Sequence, residues 1–182
     1  MTFELTADLT METLLERYPG ARRALFSAFH IGGCQSCAYQ PEQTLAEVCR
    51  HHGIDLAEAL TCLADSRDHD QRMLISPSEL QSLRQGEAPL ILLDTRTREE
   101  FDAITLPGAQ LMTQEVQTAL FADQDKVTQK IVLFDHQGRS VLDHCAWFRG
   151  HGLNETYGLE GGIDRFAQEV DPNIPRYRLE LD

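Results

Sequence analysis

Apolar residues in the first third of the chain recur at helical spacing. Ala21, Ala24, Leu25, Ala28 and Phe29 fall on one helix face, and Gly32-Gly33 stops the run. Thr10 is placed to cap a short helix through Leu14, Leu15 and Tyr18, which Pro19-Gly20 ends. Thr44-Leu45-Ala46-Glu47 has the form of a capping box, in which the Thr hydroxyl and the Glu carboxylate each accept from a free backbone N–H. That helix reaches His52 and stops at Gly53; Asp55 then caps a fourth, with Leu56, Ala59, Leu60 and Leu63 inward. Four short helices over about 65 residues make a core that is marginal alone and calls for a metal, a partner or a second domain.

Ser66 to Arg72 carries no apolar residue, and it reads as a linker. Beyond it the pattern changes. Ser76-Pro77-Ser78-Glu79 starts a helix with proline at its first position. Leu90 to Leu93 and Ile131 to Phe134 are continuous apolar runs, as strands buried on both faces require. Thr97 opens a helix, Pro107-Gly108 turns the chain before Ala109 to Met112, and Thr156 to Leu159 is a further short strand. Gly138 leads into a helix with Val141, Leu142, Cys145, Trp147 and Phe148 on its apolar side, and Gly161-Gly162 leads into a last helix through Phe166. This alternation predicts an α/β fold with a central parallel sheet flanked by helices, preceded by a small all-α domain. The expected boundaries are a helical domain at 1–66, a linker at 67–73 and an α/β domain at 74–182.

Composition narrows the function. An apolar fraction of 42% is that of a folded domain rather than a disordered chain. A formal charge of −13 argues against non-specific binding to nucleic acid or to an anionic membrane. No apolar run reaches the length of a membrane span, and Met1 to Leu5 shows no secretory leader, so the expected compartment is the cytoplasm. Five cysteines in a reducing compartment are not a disulfide framework. Cys49, Cys62 and Cys145 lie on apolar helix faces and read as structural thiols.

Cys34 and Cys37 form the chain's CxxC. Two thiols at that spacing can chelate a soft metal, close a reversible disulfide or pass a sulfur atom. A zinc or Fe–S site would need further ligands, from Cys49 and Cys62 or from a second chain that shares the CxxC in a homodimer. His30, His51 and His52 are candidate nitrogen ligands, with surface or capping roles as the plainer reading.

Several segments of the second half, taken in order, resemble the rhodanese homology domain. Leu92-Leu93-Asp94-Thr95-Arg96 with Glu99-Glu100-Phe101 resembles its first signature, Leu106-Pro107-Gly108-Ala109 its proline turn, and Gly138-Arg139-Ser140 its active-site loop. Leu159 to Asp164 resembles the closing signature, and Asp171 to Tyr177 the tail of one single-domain subgroup. The resemblance implies a sulfurtransferase-like fold, with a cysteine after the central strand whose persulfide is steadied by loop N–H groups. Here that position is Asp135, in Asp135-His136-Gln137-Gly138-Arg139-Ser140; the loop is one residue shorter than usual, and Thr105 replaces the usual His. Asp94 and Arg96 are assigned to the same pocket. Standard rhodanese turnover is therefore not expected. Backbone N–H groups and Arg139 are expected to hold the Asp135 carboxylate, giving either a self-filled silent pocket or an acid/base or anion site of Asp135, His136 and Arg139.

Thr13 to Pro19, Phe29 to Cys37, Thr44 to Glu47 and His52 to Asp55 resemble a small helical CxxC domain of unknown function, found alone or attached to hybrid-cluster and other redox proteins. Together the two resemblances point to sulfur handling or thiol redox at Cys34 and Cys37, with a sulfur-donor or redox protein as partner. An Fe–S or zinc protein, a sulfurtransferase using Cys34 or Cys37, and a catalytically silent regulatory module are the alternatives.

Overall fold

In the computed structural model, residues 4–32, 39–122 and 128–177 are described. The chain divides into two compact units, Met1–Arg72 and Met73–Asp182.

The first unit is helical: α1 (Met11–Arg17), α2 (Ala21–Phe29), α3 (Leu45–His52) and α4 (Leu56–Gln71). Thr10 and Asp55 cap α1 and α4, and the capping box of Thr44 with Glu47 opens α3. Met11, Leu14, Leu25, Leu45, Val48 and Leu63 are buried together. A short antiparallel bridge, Thr10 with Thr44, ties the start of α1 to the start of α3.

The stretch expected as a linker is instead the last part of α4, which runs to Gln71. Its polarity is that of a helix end with one buried carboxylate. Asp70 is 2% exposed and accepts from the Tyr18 hydroxyl at 3.0 Å and from Arg23 at 2.5 Å. The Ser66 hydroxyl lies 2.8 Å from the same phenol oxygen and is placed to donate to it. A buried charge is tolerated when it is paired and hydrogen-bonded, so this polar segment anchors the helix. Burial pushes the Tyr18 phenol well above its ordinary value, and the hydroxyl therefore stays protonated and able to donate.

The second unit alternates strands and helices: β1 (Leu74–Ile75), α5 (Pro77–Gln85), β2 (Leu90–Asp94), α6 (Arg98–Ala103), β3 (Gln110–Leu111), α7 (Gln114–Ala122), β4 (Lys130–Phe134), α8 (Val141–Gly150), β5 (Thr156–Leu159) and α9 (Gly162–Glu169). The five strands pair in parallel in the order β1-β5-β4-β2-β3. Successive strand residues point to opposite faces, which explains the unbroken apolar runs. Leu93, Ile131 and Leu133 pack with Leu120, Val141 and Phe148 on one face. Leu92, Val132 and Phe134 pack with Leu80, Ile163 and Phe166 on the other. Each fully buried Phe contributes roughly 1.5–3 kcal/mol. Capping boxes at Ser76 and Thr97 start α5 and α6.

Cys49 and Cys145 are buried, whereas Cys62 is only half-buried. Trp147, expected on the inner side of α8, is 43% exposed; its neighbour Phe148 takes the core position. Among the described residues, no helix is long and apolar enough to cross a membrane.

Candidate functional site

Strand β4 is central in the sheet, with β5 and β2 on its two sides. Its C-terminal end opens directly into the loop 135–140, and α8 follows. In parallel α/β sheets this end of the strands is where ligand sites form.

Asp135 is 7% exposed, and its carboxylate turns back into its own loop. Oδ1 accepts from the Gly138 backbone N–H. Oδ2 accepts from the Ser140 backbone N–H at 2.7 Å and from the Ser140 hydroxyl at 2.9 Å. Arg139, expected to share this charge, is exposed, as are Gln137 and Ser140. A short loop that folds its own carboxylate inward satisfies it with nearby backbone donors, and the guanidinium is left to solvent.

The main chain of the same loop is pinned to α9. The carbonyl of Asp135 accepts from Ile163 N–H at 2.9 Å and that of His136 from Asp164 N–H at 3.0 Å. His136 is nearly buried, and its ring stacks on Tyr177 with centroids 4.2 Å apart. Its Nε2 lies 3.1 Å from the Tyr177 carbonyl oxygen, which can only accept, so that nitrogen carries the proton.

Tyr177 joins this loop to a charged network at the end of β2. Its hydroxyl donates to Glu100 at 2.6 Å and accepts from Arg96 at 2.6 Å. Arg96 grips Asp94 with two bonds, Nε to Oδ1 at 2.9 Å and Nη2 to Oδ2 at 2.6 Å, and also donates to the Ile104 carbonyl at 2.6 Å. The Thr105 hydroxyl donates to Asp94 Oδ2 at 2.7 Å. Burial and the Glu100 hydrogen bond push the Tyr177 phenol up to about 12, against the pull of Arg96. Farther along the tail, Arg176 pairs with Asp164 at 2.7 and 3.0 Å and holds that carboxyl below its usual range.

The structure thus brings Asp94, Arg96, Asp135 and His136 into one region of sheet ends and loop. Sequence reading missed the part played by Tyr177 and Glu100. Both lie in segments that it had noticed, but only the fold brings Tyr177 over His136. Cys34 and Cys37 lie outside the described residues. Among those residues, no group of three or more His, Cys, Asp or Glu side chains is arranged to hold a metal ion.

Tyr177→Phe should alter acid stability. Burial alone would raise the Glu100 carboxyl, but hydrogen bonds from Tyr177 and Thr97 outweigh it and hold the carboxyl below its ordinary 4.5. A carboxyl lowered on folding contributes stability above its unfolded value and loses it as pH falls through the folded one. The difference in urea midpoint between the parent and Tyr177→Phe is therefore expected to be largest at neutral pH and to shrink as pH falls below the ordinary carboxylate range. An unchanged difference would separate Glu100 from the effect.

An α/β domain whose loop after the central parallel strand turns its N–H groups on a negative charge defines the class. The rhodanese-like domain family matches residues 76–169, and the chain belongs to that family. It is 26% identical over 180 residues to the adenylyltransferase and sulfurtransferase UBA4 of Meyerozyma guilliermondii, covering 92% of this chain and 40% of that protein. It is 26% identical over 107 residues to the probable adenylyltransferase/sulfurtransferase MoeZ of Mycobacterium tuberculosis, covering 57% of this chain and 26% of that protein. The chain thus spans less than half the length of these two relatives. Among solved structures, the human single-domain sulfurtransferase TSTD1 aligns with a TM-score of 0.43 and 26% identity, over 53% of this chain and 96% of that one. A rhodanese-like domain protein from Staphylococcus aureus aligns with a TM-score of 0.45 and 19% identity, over 53% of this chain and 93% of that one.

Proposed function

We propose that this chain handles sulfur without forming a persulfide on its rhodanese loop, and that Cys34 or Cys37 carries the sulfur. The observation that supports this reading is the Asp135 carboxylate. It follows β4, where active members of the family place their cysteine, and its two oxygens already occupy the N–H groups of Gly138 and Ser140. A carboxylate oxygen does not hold a sulfane sulfur, and donors engaged by an internal anion are not open to an incoming one. The family match and the sulfurtransferase names of the relatives supply the sulfur chemistry.

The proposed step balances simply. A Cys34 or Cys37 thiolate attacks the outer sulfur of a donor such as thiosulfate. The S–S bond of the donor breaks, and sulfite leaves with the electron pair. An acceptor thiolate then takes the terminal sulfur and restores the cysteine thiolate. The loop domain acts as a scaffold or docking surface for donor or acceptor.

The test is intact-mass spectrometry of anaerobically prepared protein after thiosulfate treatment. The parent and Asp135→Ala are expected to gain one sulfur atom, and the double variant Cys34→Ser, Cys37→Ser to gain none. Sulfur loading that survives in the double variant, or a parent that never loads, would overturn the proposal.

A further inference from the structure

The segment after α9 settles on the loop 135–140 without joining the sheet or forming a further helix. Ile174 is its last fixed point. The side chain belongs to the buried cluster that holds Leu159 and Phe166, and the N–H donates to the Asp171 carbonyl at 3.1 Å. Pro175 has no N–H to give, and among the described residues the main chain of 175–177 makes no backbone–backbone hydrogen bond. Beyond Ile174 the attachments are few. Arg176, with its side chain 54% exposed, pairs with Asp164. Tyr177 lays its ring on His136, sets its hydroxyl between Arg96 and Glu100, and offers its carbonyl to His136 Nε2.

What lies beneath Tyr177 does not depend on that cover. With Tyr177 lifted, Arg96 keeps both bonds to Asp94 and the one to the Ile104 carbonyl. Glu100 keeps the Thr97 hydroxyl at 3.2 Å, and the His136 carbonyl keeps the Asp164 N–H. Arg96, Glu100 and His136 each lose one partner, which water replaces once the ring has left. The exposed pair of Arg176 with Asp164 adds little to closure. A segment with so few attachments, none of them part of a strand ladder or a helix, opens at a lower free energy than global unfolding requires.

Closure matters most for His136, the imidazole of the loop. It is 8% exposed, its ring face is covered and its Nε2–H is spent on the Tyr177 carbonyl. Uncovered, the same ring stands at the mouth of the loop beside the exposed Gln137 and Arg139, able to exchange a proton with a solute. We propose that residues 175–177 form a strap, hinged at Ile174 and Pro175, which opens separately from the rest of the α/β unit and so decides whether the loop presents an imidazole to solvent. The closed form is the resting form. The inference concerns access to His136 and holds whichever thiol carries sulfur.

The test is acylation of the full chain by diethyl pyrocarbonate at fixed pH, with peptide mass spectrometry reading each histidine separately. His136 is expected to react more slowly than His151, which is exposed at the end of α8. Its rate should rise in sub-denaturing urea, with a slope well below that of global unfolding. Arg176→Ala removes an exposed side chain, so the variant folds, and it should raise the His136 rate by up to about 5-fold. Tyr177→Phe keeps the ring but loses the bonds to Arg96 and Glu100, and should raise the rate about 10-fold or more. The His151 rate should stay unchanged in both. A parent whose His136 reacts as fast as His151 has no closed strap. A urea slope equal to the global one means that the segment opens only when the whole unit unfolds. A His136 rate unmoved in both variants assigns its screening to other residues. Each of these three results would overturn the proposal.

Discussion

Arg96→Met is expected to destabilise the protein by about 3–5 kcal/mol. Methionine keeps much of the side-chain length and apolar stem, so lost packing is a minor part of the effect. What changes is the electrostatics. The Asp94 side chain is fully buried, and Arg96 is its salt-bridge partner at 2.6 Å with a side chain only 2% exposed. Without the guanidinium, the carboxylate keeps the Thr105 hydroxyl and the Arg96 backbone N–H but no cation. It must then stay charged at a high desolvation cost or take up a proton. The Ile104 carbonyl and the Tyr177 hydroxyl lose a donor in the same substitution. Urea denaturation at pH 7 measures the loss, and Asp94→Asn in the Arg96→Met background should recover part of it. A loss below about 1 kcal/mol would show that water enters and replaces the guanidinium.

Gly162→Ala is the second large effect, expected at about 2–5 kcal/mol. Gly162 has φ +60°, and Gly161 before it has φ +71°. A side chain in this left-handed region costs about 1–2 kcal/mol before any contact is considered. A Cβ at residue 162 would also lie 2.4 Å from the Asp135 carbonyl oxygen and 2.6 Å from that of His136. Both atoms are backbone and both carbonyls are held by α9, so neither can move alone. The substitution has to push the loop 135–140 off the start of α9. Faster amide exchange at residues 136–140 is expected with the fall in stability. A stability loss without faster exchange there would confine the strain to α9.

Local signals in the chain were readable where the chemistry is local. The capping box read at Thr44 and the helix starts read at Ser76 and Thr97 each close within four residues, and all three form capping boxes. The runs at 90–93 and 131–134 identified strands buried on both faces because residue type alone reports that environment. The failures share a cause, which is dependence on a distant partner. Asp70 looks like a linker residue until Tyr18 and Arg23 are placed beside it. Trp147 and Phe148 are adjacent apolar residues, and periodicity could not say which would face Phe121 at the surface and which the core. Arg139 is expected beside Asp135 on charge, but backbone donors three and five residues along the loop, at Gly138 and Ser140, take the carboxylate instead of a flexible guanidinium. Tyr177 acts on His136 across 41 residues, and no short motif carries that link.

The order of the sheet also has a consequence for biosynthesis. Unit 1 is built from helices, whose own backbone hydrogen bonds are local and form quickly. In unit 2, Leu74 and Ile75 have as partners Gly158 and Leu159, near the far end of the domain. The first strand of this domain to leave the ribosome is thus the one that must wait for β5 before it finds its place. Until then β2 and β4 can pair, but one edge of the growing sheet stays open to other chains. Translation order therefore favours an early helical unit followed by a late, all-at-once closure of the parallel sheet.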